Sequence, residues 1–293
     1  MSQFWQQVIS GLASGGIYGS LALALVLIYR ATRVINFAQG EMATFAAYVA
    51  WTLIDHGVPY WGAFFATLAI AFAGGVAIER TLIRPVESAP PLTVVILTIG
   101  LLVGINGATS WIWGGAARRF PSPFRQEPFH VGGVAISPQD LGVIAVSLAS
   151  VLALWLFFRY ARLGLAMRAA AVNPAESRYV GIRVGWMLAL GWGIASALGA
   201  VAGMMVAPSL FLDPNMMQSV LLYAFAAAVL GGIDSPIGAV VGGLVLGVLL
   251  NLVGTYVTSV GGELRLAVAL SVILLVLLMR PAGLFGRTAV RRV

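Results

Sequence analysis

The sequence predicts an all-α fold, a polytopic bundle of about eight to nine transmembrane helices forming one membrane domain over residues 1–293. Three observations predict it. Hydrophobic residues make up 60% of the chain and charged residues only 9%, with a mean hydropathy of +0.96, whereas soluble domains are roughly 25% charged. Uncharged runs approaching the ~20 apolar residues that one crossing needs recur from end to end. The basic residues gather in alternate connections between those runs, as the retention of positive charge on the cytoplasmic side requires.

Taken in order, the runs cover residues 8–29, 42–54, 61–78, 92–113, 141–158, 186–207, 214–230, 236–257 and 264–279. Residues 1–7 lack the positive n-region of a cleaved signal peptide, so the first run is expected as a retained helix. The second run is too short to span alone. It continues backward only through the polar stretch Asn36-Phe37-Ala38-Gln39-Gly40-Glu41, which predicts a broken or re-entrant helix. Small residues repeat at four-residue spacing on three runs: Gly11, Gly15 and Gly19; Gly191, Ala195, Gly199 and Gly203; Ala239, Gly243 and Gly247. Such faces allow close backbone approach in lipid, either within the chain or in a dimer.

Placing the N-terminus outside puts Arg30, Arg33, Arg80, Arg84, Arg159, Arg162, Arg168, Arg178, Arg183, Arg280, Arg287, Arg291 and Arg292 in the cytoplasm. Only Arg118, Arg119, Arg125 and Arg265 then lie outside. This bias requires an odd number of crossings, so nine fits better than eight, with a cytoplasmic C-terminus.

Absent residue types exclude chemistry. All 17 basic residues are arginine. Without lysine the chain can house neither a Walker A phosphate loop nor a Schiff-base nucleophile, so nucleotide energy must come from another chain. Without cysteine there are no disulfides or thiolate ligands, and only His56 and His130 represent histidine. Neither lies within a run, and no paired carboxylates do; metal ligation, proton pumping and enzymatic activity find no support.

Three constellations remain. The longest cytoplasmic connection, 159–185, contains Asn173-Pro174-Ala175-Glu176: an N-cap residue, proline at the first helical position and a glutamate placed for a capping box. Gly181 supplies a left-handed stop, so a short helix over 174–180 is expected among Arg162, Arg168, Arg178 and Arg183. It reads as a docking helix for a cytoplasmic partner, the alternative being a connector whose arginines meet anionic lipid head groups. The second constellation, Asn36, Gln39 and Glu41, reads as part of a translocation path, because unwound backbone at membrane depth is tolerated where it is buried or lines a wet cavity. The alternative makes Glu41 a helix-start carboxylate favoured by the macrodipole. The third is the turn Leu230-Gly231-Gly232-Ile233-Asp234-Ser235-Pro236, where Asp234 and Ser235 are path candidates or caps of the eighth helix; Asp213-Pro214 is expected to cap the seventh in the same way. Asn106, Asn251 and Glu263 are expected to form interhelical hydrogen bonds.

With these residues assembled, the chain resembles the branched-chain amino acid permeases of ABC importers over essentially its whole length. The resemblance is carried by Gly-Leu-Ala-Ser-Gly-Gly-Ile-Tyr at 11–18, Val-Ile-Asn-Phe-Ala-Gln-Gly-Glu at 34–41, the loop 173–181, the turn 231–238 and Arg-Pro-Ala-Gly-Leu at 280–284. It implies an inner-membrane subunit paired with a second, homologous permease, two cytoplasmic ATPase subunits that bind the ATP, a periplasmic solute-binding protein, contact with membrane lipid, and no nucleic-acid partner or cofactor in this chain. The helix at 174–180 then corresponds to a coupling helix, with Arg168, Asn173, Pro174, Glu176, Arg178 and Gly181 as coupling residues. The loop lacks the EAA signature of many other importers, and many family members carry histidine where this chain has Gln39. Similar sequences move branched-chain amino acids, urea, short amides or aromatic acids. An ion-coupled secondary transporter and a passive channel are the competing functional classes.

Overall fold

The computed structural model describes residues 2–87, 89–125, 127–131, 134–257 and 264–286. Glu263 and three arginines of the expected cytoplasmic tail, Arg287, Arg291 and Arg292, lie outside the described residues. Each of the nine expected runs corresponds to a helix, the seventh only from Met217 onward: α1 (Ser2–Thr32), α2 (Gln39–Asp55), α3 (Tyr60–Ile78), α4 (Pro91–Trp113), α5 (Pro138–Tyr160), α8 (Val184–Leu210), α9 (Met217–Gly231), α10 (Pro236–Tyr256) and α11 (Arg265–Met279). The connection after α5 holds two more, α6 (Arg162–Val172) and α7 (Pro174–Tyr179). A small antiparallel hairpin, β1 (Phe129–Val131) and β2 (Val134–Ile136), precedes α5.

Six helices are long and apolar enough to cross a bilayer: α1, α3 with its extension to Val86, α4, α5, α8 and α10. The other three runs form shorter helices, of 17 residues in α2 and 15 each in α9 and α11. The chain divides into two compact units, one of Met1–Val26, Ser122–Ser147 and Ser219–Val293, the other of Leu27–Pro121 and Leu148–Gln218.

In the first unit the glycine face of α1 meets the small-residue face of α10. A Cβ on Gly11 would stand 2.6 Å from Val248 Cα, and one on Gly15 2.7 Å from Leu244 Cα. Lipid tails are as apolar as leucine, so these helices associate through dispersion at backbone distance, which a side chain at either glycine would prevent. The same pair is joined by Asn251, whose Nδ2 donates to the carbonyl of Gln7 at 3.3 Å. At the turn before α10, Leu284 and Phe285 donate their amides to the carbonyls of Leu230 and Gly231, both at 2.9 Å. Gly232 (φ +106°) and Gly283 (φ +77°) adopt the left-handed turns that bring these segments together. Two of the motifs carrying the family resemblance are therefore one structural element.

The second unit is built on α8, which packs along α3 and α2, with α4 beside α2. Gly193 and Gly203 admit the neighbours closely: a Cβ on Gly193 would stand 2.9 Å from Phe72 and Val76, one on Gly203 2.5 Å from the Ala43 carbonyl. Trp113, at the end of α4, stacks on Tyr48 and meets Phe45 edge-on.

Candidate coupling helix and broken-helix site

The α6–α7 loop is assembled by local capping. Asn173 takes an extended backbone, its Oδ1 accepts the amide of Glu176 at 3.2 Å, and Pro174 opens α7. The reciprocal half of the expected capping box is not used: the Asn173 amide donates to the Ala169 carbonyl at 3.0 Å, completing the last turn of α6. Glu176 is exposed. At the other end Gly181 (φ +83°) donates to Arg178 O at 3.1 Å and Ile182 to Ser177 O at 3.0 Å, the paired bonds of a Schellman motif. The helix ends at Tyr179, one residue earlier than expected.

Only Ser177 of α7 is buried. Arg168, Arg178 and Arg183 are exposed, and so are large apolar groups: Val172, Val180 and Tyr179, the last 90% exposed. Behind this outward face, Ala170, Val184 and Leu188 form a small core onto which Ile182, Met187 and Ala31, in the last turn of α1, also pack. The first turn of α8 is gripped from α3. The guanidinium of Arg80 lies 3.7 Å from the ring centre of Trp186, with the buried Glu79 carboxylate 3.7 Å from Arg80 Nε. Glu79 and Arg80 open a π-helical turn, Glu79–Ile83, at the end of α3. Sequence reading counted Arg80 only as a cytoplasmic charge; its partner is about a hundred residues away and left no local signal.

The second site begins where α1 stops. Arg33 has φ +58°, and the chain runs without helix to Gln39. Asn36 holds this break: its Oδ1 accepts the Ala38 amide at 3.1 Å and its Nδ2 donates to Gln39 Oε1 at 3.2 Å. Gln39 Nε2 in turn donates to the carbonyl of Ala195 at 2.9 Å. Asn36, Gln39 and Glu41 are 1%, 0% and 2% exposed. Ala195 lies about 17 Å along α8 at 1.5 Å per residue, near its midpoint, so α2 starts halfway up a span-length helix, as a broken helix does.

Glu41 faces α4. Its Oε2 accepts from Asn106 Nδ2 at 3.1 Å, and the same nitrogen stands 3.1 Å from the carbonyl of Pro214 and 3.1 Å from Asn215 Oδ1. Gln218 Nε2 donates to that Asn215 oxygen at 2.9 Å. The expectation that Asp213 caps a helix beginning at Pro214 is corrected. Asp213 Oδ1 accepts the amide of Asn215 at 2.8 Å, a side-chain turn that delays α9 to Met217. Asp234 and Ser235 belong to the other unit, in the turn before α10, where Ser235 Oγ accepts the Gly238 amide at 3.0 Å and caps the helix. Among the described residues no three histidine, aspartate and glutamate side chains gather to hold a metal.

A family model described as the permease component of the branched-chain amino acid transport system matches residues 7–279. The chain belongs to this family. Among curated relatives of the permease, LivH of Salmonella typhimurium, a high-affinity branched-chain amino acid transport system permease protein, is 32% identical over 99% of this chain and 98% of its own length. BraD of Pseudomonas aeruginosa, of the same description, is 32% identical over the same shares. A probable branched-chain amino acid transport permease protein of Methanocaldococcus jannaschii is 30% identical over 91% of this chain and 87% of its own.

Proposed function

We propose that this permease is the membrane-embedded subunit of an ABC importer for branched-chain amino acids or a similar small solute, and that it forms the path together with a second, homologous permease. Two cytoplasmic ATPase subunits supply the energy and a periplasmic binding protein delivers the solute, in the inner membrane, with the N-terminus periplasmic and the C-terminus cytoplasmic. The observation that carries this reading is α7: a capped helix on a firm base, exposing Glu176, Arg178, Tyr179 and Val180 to a partner. Full-length kinship with LivH and BraD supports the solute class, and the absence of lysine agrees with ATP being bound elsewhere.

In this reading Arg168, Asn173, Pro174, Glu176, Arg178 and Gly181 transmit ATPase closure, and Asn36, Gln39 and Glu41 stand beside the solute's route. ATP hydrolysis and uptake measured in proteoliposomes holding the whole assembly test it. Glu176→Ala and Gly181→Val should insert normally yet hydrolyse ATP without proportionate uptake. Wild-type uptake and substrate-stimulated hydrolysis in both variants would remove α7 from the coupling role.

A further inference from the structure

We propose that the oxygens gathered around the side-chain nitrogen of Asn106 form a port for a primary ammonium group on the transported solute. The port rests on the reading of Asn36–Glu41 as bordering the path and names the chemistry recognised there. Glu41 Oε2, the Pro214 carbonyl and Asn215 Oδ1 all stand 3.1 Å from Asn106 Nδ2. An amide nitrogen carries two hydrogens and an ammonium carries three. Asn106 can serve Glu41 and Pro214 while Gln218 serves Asn215, whereas a –NH3+ group in the same place reaches all three oxygens and adds a positive charge beside Glu41.

Charge favours the same occupant. Among the described residues no arginine or histidine pairs with Glu41, and a carboxylate at membrane depth is costly until a cation meets it. Asn106 offers only a neutral donor. The solute's ammonium, displacing the Asn106 amide from its three acceptors, supplies the missing charge without moving the oxygens. Gln218 keeps Asn215 turned correctly by donating to the Asn215 oxygen that faces inward.

The port opens on the surface of this chain. Asn215 and Gln218 are exposed, and Asn106 is half-buried. Beside Asn106 on α4, Gly104 and Gly107 are exposed, with no atom within 4 Å of where a Cβ would stand. The aliphatic part of a small solute has room there.

The test uses a single reporter cysteine, Gly107→Cys, where a Cβ meets no atom within 4 Å, in this otherwise cysteine-free chain, within membranes holding the whole assembly. Its labelling by a water-soluble thiol reagent is followed with two probes: 3-methylbutylammonium, which keeps only the amino group of leucine, and 4-methylpentanoate, which keeps only the carboxylate. The ammonium should protect the cysteine and the carboxylate should not. Adding Glu41→Gln should raise the protecting concentration at least tenfold, and Glu41→Asp should keep part of the effect. Labelling that neither probe slows, or that both slow alike, overturns the port while leaving the path reading intact. So does protection indifferent to Glu41→Gln. No labelling in any nucleotide state overturns the path reading, and the port with it. Should Glu41→Gln fail to insert, the contrast between the two probes decides alone.

Discussion

The side-chain amide of Gln39 donates to the main-chain carbonyl of Ala195 at 2.9 Å, tying the start of the broken helix α2 to the middle of α8. Gln39 is fully buried, and its other end accepts from Asn36. Gln39→Ala should therefore cost about 1–3 kcal/mol, because it strips a partner from Asn36 and from a buried carbonyl. Gln39→His should cost less, since an imidazole N–H can replace the donor. Denaturant titration of the purified permease in detergent measures both, and equal stability of Gln39→Ala and the parent removes the tie as a structural element.

Gly15 and Gly74 should respond oppositely to the same change. A Cβ at Gly15 would collide with the backbone of α10, whereas one at Gly74 on α3 meets nothing within 4 Å. Gly15→Ala is expected to destabilise by about 1–3 kcal/mol through overpacking. Gly74→Ala should be neutral, or stabilise by up to about 1 kcal/mol through helix propensity. Thermal unfolding in detergent separates the two.

Left-handed backbone at Gly181 sets a graded series at the end of α7. An L side chain at φ +83° is strained, by roughly 1–2 kcal/mol for alanine and less for asparagine. Gly181→Asn should retain more transport per ATP hydrolysed than Gly181→Ala, and Gly181→Ala more than Gly181→Val. Hydrogen exchange at the amides of Gly181 and Ile182 should quicken in the same order. Transport that ignores the series would separate the Schellman turn from coupling.

Arg80 and Trp186 should be energetically coupled. Their 3.7 Å stacking pins α8 to α3 directly behind the α7 turn. A double-mutant cycle of Arg80→Leu and Trp186→Leu, read by unfolding in detergent, should return about 0.5–2 kcal/mol of interaction. Strict additivity would mean that the stacking contributes nothing.

The helices were legible because hydropathy is a property of contiguous sequence, and each of the nine apolar runs became one. What depended on distant partners was not. The small-residue repeats identified the faces of α1 and α10 without revealing that they face each other. Asn106 looked like a generic polar residue because its partner Glu41 is 65 positions away. Helix α6 was missed because Arg162 and Arg168 interrupt the hydrophobicity that marked the runs, although Gly164, Met167 and Ala170 repeat every third residue on its buried face. At Asp213 the local signal itself misled. An aspartate before proline suits a helix cap, but its carboxylate was taken by the amide two residues on. Asn173 and Gly181, by contrast, act within four residues of their own positions, and the sequence foretold the cap at one end of α7 and the left-handed stop at the other, though the helix ends one residue sooner, at Tyr179.

The pairing of Leu284 and Phe285 with Leu230 and Gly231 bears on how the molecule is made. Synthesis runs from N- to C-terminus, so the two carbonyls emerge long before the amides that satisfy them. The turn between α9 and α10 must wait unlatched until α11 and the segment after it have been made. A chain cut just before Leu284 keeps every helix through α11 but leaves the carbonyls of Leu230 and Gly231 without these partners.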